Sequence, residues 1–499
     1  MNTSTPDPAG PEPLWSGGFV ADRLNVRIHS DPGSAVAVQD LVGLALRRNP
    51  KRAHLLVSNV LAKHVPTEPA LVIAAGELLG AFVARQLSRL TFDAGDRLAM
   101  PIDAVPDQAL ADAATQLTTV LQGAAGHRQD AIATLAGQVA GMRTRLPGTV
   151  VLGYAETATG LGRLVANALG AYYIHSTRHA TPGIPSAASF EEGHSHATSH
   201  SLVPTDPHWF DGASPVILVD DELSTGSTVI NTIRELHALI PHPVYVVAAL
   251  IDLRGNADRA RFEALADELG CRIAVAALGT GRVELDPDIL ERAAELLDTL
   301  EQPAVPEAEP GRLSMLELAA RNVDPVRSDR FGNASPPSEA TIALVAGQVA
   351  EHLSGLDLHG PVVVVGTEEN MFLPLAVADV LAAMLPEIAV RFSTTTRSPI
   401  VPLEREDYAI AGALTFASHD LANDGPGVRF AYNLNGPGQR PGTIVVFPEP
   451  GTNRRHVLHG DPASGLPPLA GALQTAADDV VVVLLPVDAP PATATEEPA

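Results

Sequence analysis

Only one cysteine, Cys271, occurs among 499 residues, which excludes an intrachain disulfide and any cysteine-based zinc cluster. Aromatics make up 4% of the chain, fewer than an aromatic-rich β-sandwich would use. Alanine and valine are abundant instead, which suits buried parallel strands and small-residue helix faces. Cations are scarce as well: 33 Lys and Arg stand against 58 Asp and Glu, a formal charge of −25. Such a surface repels phosphate backbones, so no nucleic-acid partner is expected. Neither a cationic N-terminus leading into an apolar run nor a stretch long enough to span a bilayer is read in the sequence. The expected setting is therefore cytoplasmic, with no membrane partner.

What is present is a globular composition, 45% hydrophobic and 18% charged, in a chain long enough for more than one core. Residues 1–15 and 489–499 are rich in proline and small polar residues and read as loose tails. A third such stretch, EQPAVPEAEPG at 301–311, divides the chain. The expected layout is a first domain over 16–300 with its core at about 130–285, a linker over 301–330, and a second domain over 331–488. In the first domain GELLGAFVARQL reads as a helix, and uniformly apolar strands (TVVLG, AYYIHST, PVILVDD, VYVVAALID, RIAVAAL) then alternate with amphipathic helices. That alternation predicts a doubly wound α/β domain with a parallel sheet covered on both faces.

The second domain repeats the plan. AGQVA occurs at 136–140 and again at 346–350, and each copy leads into an apolar strand ending in glycine, TVVLGYAE and PVVVVGTEE. This aligns Gly153 with Gly366, Glu156 with Glu369, and the pair Thr177-Arg178 with Thr396-Arg397. VILVDD finds its counterpart in TIVVFPE, and VVAALID in VVVVLLP. The ordered series predicts a diverged duplicate. Pro448-Glu449 stands where Asp220-Asp221 stands in the first copy, and EPGTNRR replaces the small-residue turn, so the second copy is expected to be non-catalytic.

The chemistry concentrates in VILVDDELSTGST, residues 216–228. Four apolar residues make a buried strand, and Asp220 and Asp221 emerge at its carboxyl end, where open α/β sheets bind ligands. Ser224, Thr225, Gly226, Ser227 and Thr228 then form a small-residue turn opening a helix. Such a turn aims backbone N–H groups and hydroxyls at one spot beside the positive end of the helix dipole, which makes a phosphate cradle. An acidic pair beside it suits a sugar phosphate, the carboxylates accepting from ribose hydroxyls or holding Mg²⁺.

The segment resembles the phosphoribosyl-pyrophosphate motif of type I phosphoribosyltransferases. By that resemblance Asp220 and Asp221 contact the ribose, residues 224–228 the 5′-phosphate, and Mg²⁺ is held indirectly through the two aspartates. Ser224 stands where purine-type members carry an aspartate, which argues against a hypoxanthine- or guanine-type enzyme and leans towards an orotate-type arrangement. Glu222 replaces the usual apolar residue, and a solvent-facing side chain is favoured there over a metal ligand. In the family the loop after the first core strand presents backbone amides to pyrophosphate; here it is Gly153, Tyr154, Ala155, Glu156 and Thr157. The long segment 174–200 occupies the place of the family's mobile loop. Its Arg178 is the expected catalytic cation, since a guanidinium matches phosphate geometry and keeps its charge. The spacing of His194, His196 and His200 also allows a transition-metal site, with a histidine-rich exposed loop as the plainer alternative. Residues 47–66 supply either part of a hood that selects the acceptor base or a solvated helix face.

Over about 20–485 the chain is similar to the phosphoribosyltransferase proteins found beside bacterial tellurium-resistance genes. Those carry a C-terminal domain named for a Thr-Arg-Ser-Pro signature, here Thr396, Arg397, Ser398 and Pro399. The resemblance implies a bacterial source and transfer of phosphoribose from Mg²⁺-phosphoribosyl pyrophosphate to an unidentified nitrogenous acceptor, with release of pyrophosphate. It also allows a homodimer, and a second anion site at Thr396, Arg397 and Ser398. Two other readings fit the same residues: a non-catalytic sensor of phosphoribosyl pyrophosphate, and an enzyme running the reverse, nucleotide-cleaving reaction.

Overall fold

The computed structural model describes residues 14–49, 52–93, 105–123, 127–179, 181, 183–191, 199–210, 214–300, 309–419, 427–436 and 440–488. Both expected tails, apart from Leu14 and Trp15, and residues 301–308 of the expected linker lie outside this set.

The first domain opens with β1 (Arg27–Ser30) and an antiparallel hairpin of β2 (Val42–Leu46) and β3 (His54–Ser58). The alternating unit follows: β4 (Val150–Gly153), β5 (Tyr172–His175), a hairpin of β6 (Ala188–Glu191) and β7 (Ser199–Leu202), then β8 (Val216–Leu223), β9 (Val244–Asp252) and β10 (Arg272–Glu284). The sheet order is β1-β10-β9-β8-β4-β5, parallel except for β1 at one edge. Every residue of β4 and β9 is buried, as expected for strands covered on both faces. In β8 full burial is interrupted at Asp220, Asp221 and Glu222 and resumes at Leu223, so the acidic pair sits where the strand is partly uncovered.

The helix Pro69–Asp93 packs against elements of both domains. By length and hydropathy its segment Pro69–Leu90 matches a membrane span, contrary to the expectation that no stretch is long enough, yet 72% of its most apolar window is buried inside the fold. It packs on the helix Thr159–Leu169 through Gly76 and Gly80, where an added Cβ would meet Leu164 Cδ1 at 2.6 Å and Ala168 Cβ at 2.5 Å.

The second domain contains β11 (Arg312–Glu317), β12 (Val362–Gly366), β13 (Val390–Thr394), a hairpin of β14 (Ala413–Ala417) and β15 (Val428–Tyr432), then β16 (Thr443–Phe447) and β17 (Asp479–Leu484). Its parallel sheet has the order β11-β17-β16-β12-β13. Strand for strand, β17-β16-β12-β13 repeats β9-β8-β4-β5, and each sheet has a hairpin inserted before its β8 or β16. The edge differs. β10 follows β9 in the chain, whereas β11 precedes its whole sheet and lies inside the stretch read as linker. The two AGQVA copies fall in the matching helices Arg128–Ala140 and Glu339–Ser354.

The two domains share an apolar core: Ala62, Val72 and Leu164 of the first pack with Met371, Phe392 and Val364 of the second. Gly160 lies so close to this junction that a Cβ would meet Met371 Cβ at 2.9 Å.

Candidate functional site

Asp220 and Asp221 are half-buried at the carboxyl end of β8, and the Asp220 Oδ1 accepts from the Asp221 N–H at 2.9 Å. The turn that follows reverses through Gly226, whose φ of +70° precedes the helix Ser227–Leu239. An added Cβ there would meet the Phe262 ring at 2.4 Å, and Phe262 is held from behind by the Arg254 guanidinium, 4.4 Å above its centroid. Only glycine fits both the backbone and the space. Thr225 Oγ1 and Ser227 Oγ lie 3.1 Å apart at the mouth of the turn. Arg261, on the helix Asn256–Leu269, donates to Ser227 Oγ at 3.2 and 3.3 Å. This cation at the cradle has no local signal in the sequence, because it reaches Ser227 from 34 residues downstream.

Glu222 does not simply face solvent. Burial pushes its carboxyl up from the ordinary range, Asp221 adds to this, and Arg52 and Arg47 oppose it. Arg47 and Arg52 are thus brought to the site, and the segment from Arg52 continues as β3 and the buried residues after it rather than as a solvated helix. Within that segment Lys63 is 7% exposed, and its Nζ donates to Thr157 Oγ1 and lies 3.4 Å from Glu156 Oε1.

The loop after β4 departs in part from expectation. Gly153 is required, since a Cβ would meet Tyr173 Oη at 2.5 Å. Tyr154, though, turns into the core against Phe190, and its N–H bonds the Val219 carbonyl. The Ala155 N–H donates to Ser176 Oγ at 2.9 Å. Both amides are therefore spent inside the fold rather than offered to a ligand. Among the described residues the Glu156 and Thr157 amides make no backbone–backbone bond outside helices and strands. The Ala155–Glu156 peptide is cis.

Arg178 lies beyond β5 and donates from Nε and Nη2 to His200 Nε2 at 3.3 and 3.2 Å, while His200 Nδ1 bonds Ser176 Oγ at 3.0 Å. Both ring nitrogens of His200 are thereby engaged, which leaves none for a transition metal. His194 and His196 lie outside the described residues. Among the described residues no cluster of three or more His, Cys, Asp or Glu side chains is arranged to hold a metal ion.

Comparison with known proteins settles the class. Residues 41–282 match the family described as phosphoribosyl transferase, and residues 327–460 match the TRSP domain that lies C-terminal to it. The chain thus carries a phosphoribosyl transferase segment followed by a TRSP segment. Among solved structures, the adenine phosphoribosyltransferase of Trypanosoma brucei, in complex with AMP, pyrophosphate and ribose-5-phosphate, is 18% identical over 26% of this chain and 55% of its own, with a TM-score of 0.20. The Rhodothermus marinus enzyme is 21% identical over 26% and 68%, at 0.20. That of Giardia lamblia, complexed with 9-deazaadenine, is 20% identical over 27% and 69%, at 0.19. The chain thus spans about half the length, 55%, of the trypanosomal enzyme. No curated protein matches the chain.

The TRSP signature faces the phosphoribosyltransferase domain. The Arg397 N–H donates to Glu156 Oε1 at 3.4 Å, its Nε lies 3.6 Å from Glu156 Oε2, and Thr396 also hydrogen-bonds that carboxylate. Arg47 Nη2 reaches Ser398 Oγ at 3.4 Å, and the Arg48 N–H bonds the Pro399 carbonyl. The same contact is made in reverse. Glu369, aligned with Glu156, accepts from Thr177 Oγ1 at 2.6 Å and from the Arg178 N–H at 2.9 Å. Burial pushes the Glu369 carboxyl up, but His179, Arg330, His175 and that N–H outweigh it and hold it at about 2. In the TRSP domain's own counterpart of the acidic pair, Glu449 is closed off by Arg330 at 2.5 Å, both side chains buried.

Proposed function

We propose that the phosphoribosyltransferase domain transfers phosphoribose from phosphoribosyl pyrophosphate to a nitrogenous acceptor and releases pyrophosphate. One observation carries this: an acidic pair at the open end of β8 leads directly into a glycine-turned phosphate cradle, beside the loop that ends β4. The acceptor's nitrogen lone pair forms a bond to the anomeric carbon as the bond from that carbon to the pyrophosphate oxygen breaks, its electron pair leaving with pyrophosphate. The acceptor's N–H proton passes to solvent. Positive charge builds on the sugar, and Asp220 and Asp221 stabilise it while they accept from the ribose hydroxyls. Thr225, Ser227 and Arg261 hold the 5′-phosphate.

The donor set fits Mg²⁺ in a limited way. Two adjacent carboxylates, with no cluster of three or more metal-ligating side chains among the described residues, suit an ion that keeps its waters and takes its other oxygens from substrate phosphates. Bound there, Mg²⁺ would neutralise charge on the leaving pyrophosphate. The hairpin β2–β3, to which residues 398–400 bridge through Arg47, would supply the hood on the acceptor side. A cytoplasmic setting agrees with the acidic surface and the phosphorylated substrate. A link to tellurium resistance rests only on the two-domain layout.

The test is calorimetric titration of phosphoribosyl pyrophosphate, with and without Mg²⁺, into wild type and Asp220→Asn/Asp221→Asn. The expected result is saturable, Mg²⁺-dependent binding that the double variant loses. A folded wild type that binds nothing overturns the proposal.

A further inference from the structure

The phosphoribosyl reading places pyrophosphate at the β4 loop, and three links outside the loop bear on that position. Lys63, from the segment after β3, is almost wholly buried, and its ammonium touches Thr157 Oγ1 on the loop. Glu156 holds that ammonium at 3.4 Å. Glu156 is in turn held by Thr396 and by the Arg397 N–H and guanidinium of the other domain. Arg397 is itself braced by Glu368, which accepts from its Nε at 2.6 Å and from Arg429 Nε at 2.5 Å.

We infer that the pyrophosphate subsite is composite: Lys63 is the cation that contacts pyrophosphate, and the TRSP domain positions it through Arg397 and Glu156. Three features support this assignment. A lysine brought from 94 residues away onto a short Gly/Thr loop is not needed to close the turn, which already has the Ala158 N–H to Tyr154 carbonyl bond. A buried ammonium is costly unless it is paired, and among the described residues the carboxylate it pairs with, Glu156, is shared with Arg397, so its charge is left to attract an incoming anion. Arg178, the cation read from the sequence, is directed at His200 in this structure. Lys63 acts by hydrogen bonding and charge alone. As the bond from the anomeric carbon to pyrophosphate breaks, it donates to the phosphate oxygens that gain the electron pair, and no proton or covalent bond is transferred to it.

This inference rests on the proposed function, and the experiment separates the two. Inorganic pyrophosphate with Mg²⁺, and separately ribose 5-phosphate, are titrated calorimetrically into the full chain as wild type, Lys63→Met, Arg397→Gln and Arg397→Lys. Lys63→Met is expected to weaken pyrophosphate roughly tenfold or more, the scale of one charge-assisted hydrogen bond, while ribose 5-phosphate stays within about twofold. Arg397→Gln is expected to weaken pyrophosphate selectively, and Arg397→Lys to recover part of the loss. Unchanged pyrophosphate affinity in Lys63→Met overturns the inference, and so does an equal loss of both ligands, which would mark a merely structural lysine. A wild type that binds neither ligand overturns the phosphoribosyl reading itself.

Discussion

Gly226 carries two constraints at once, a φ of +70° and a Phe262 ring where its Cβ would be. Gly226→Ala is expected to cost about 1–3 kcal/mol of stability and to weaken ribose 5-phosphate binding. Gly226→Ala/Phe262→Leu recovers the part due to crowding and not the part due to backbone conformation, as thermal melts and titration of the three proteins would show. Glu222 makes a second prediction at this scale. Its carboxyl titrates above the ordinary range because of burial, so it becomes neutral as pH falls through that raised value and ceases to repel the substrate's phosphates. Phosphoribosyl pyrophosphate should bind more tightly over that fall in wild type, and Glu222→Gln should flatten the dependence when Kd is measured across pH. Local sequence showed the acidic pair and the turn because both lie in one continuous run. It did not show Lys63 or Arg261, which reach the site from 94 and 34 residues away and belong to no motif. Nor did it show that Tyr154 points inward, since a loop's spacing does not say which amides the core consumes.

Among elements, the strands were the most legible, because a run such as VYVVAALID is apolar at every position before its final Asp252 and reads as a strand buried on both faces. The helix Asn256–Leu269 is only weakly marked in the sequence, since its buried stripe consists of Phe262 and Leu265. β2–β3 and β11 were missed for a different reason. β11 is half-exposed and pairs with β17, whose register partner for Arg312 is Asp479, so nothing near it in the chain marks it as a strand. The packing of the helix Pro69–Asp93 on Thr159–Leu169 depends on absent side chains at Gly76 and Gly80. Gly80→Leu is expected to destabilise by about 1–3 kcal/mol through overpacking. The drop in Tm should exceed that of Gly137→Leu, a helical glycine whose Cβ would meet nothing within 4 Å.

For the molecule as a whole, the junction is held by apolar packing and by carboxylates kept charged. Burial raises Glu156, Asp329 and Glu369, but their cationic neighbours win and all three end below the ordinary range. Groups with depressed values contribute stability above their unfolded pKa and lose it as pH falls towards the folded one. For Glu369 that window runs from about 4.5 down to about 2. Acidification from about pH 6 to about pH 3 should therefore raise opening of the loops 154–158 and 367–371, read as hydrogen exchange relative to the intrinsic rate at each pH, before it does so in β9 and β17. Glu369→Gln should show part of that rise already at the higher pH. The reciprocal grip of Glu156 on Thr396-Arg397 and of Glu369 on Thr177-Arg178 has a further consequence for how such a protein can change over generations. A surface that docks on its own copy must serve both sides with one gene, so each substitution is felt twice. Once the two sides are separate halves of one chain, each encoded by its own segment, each can drift alone. The second half can then lose its acidic pair to Pro448-Glu449 while the first keeps Asp220-Asp221 intact.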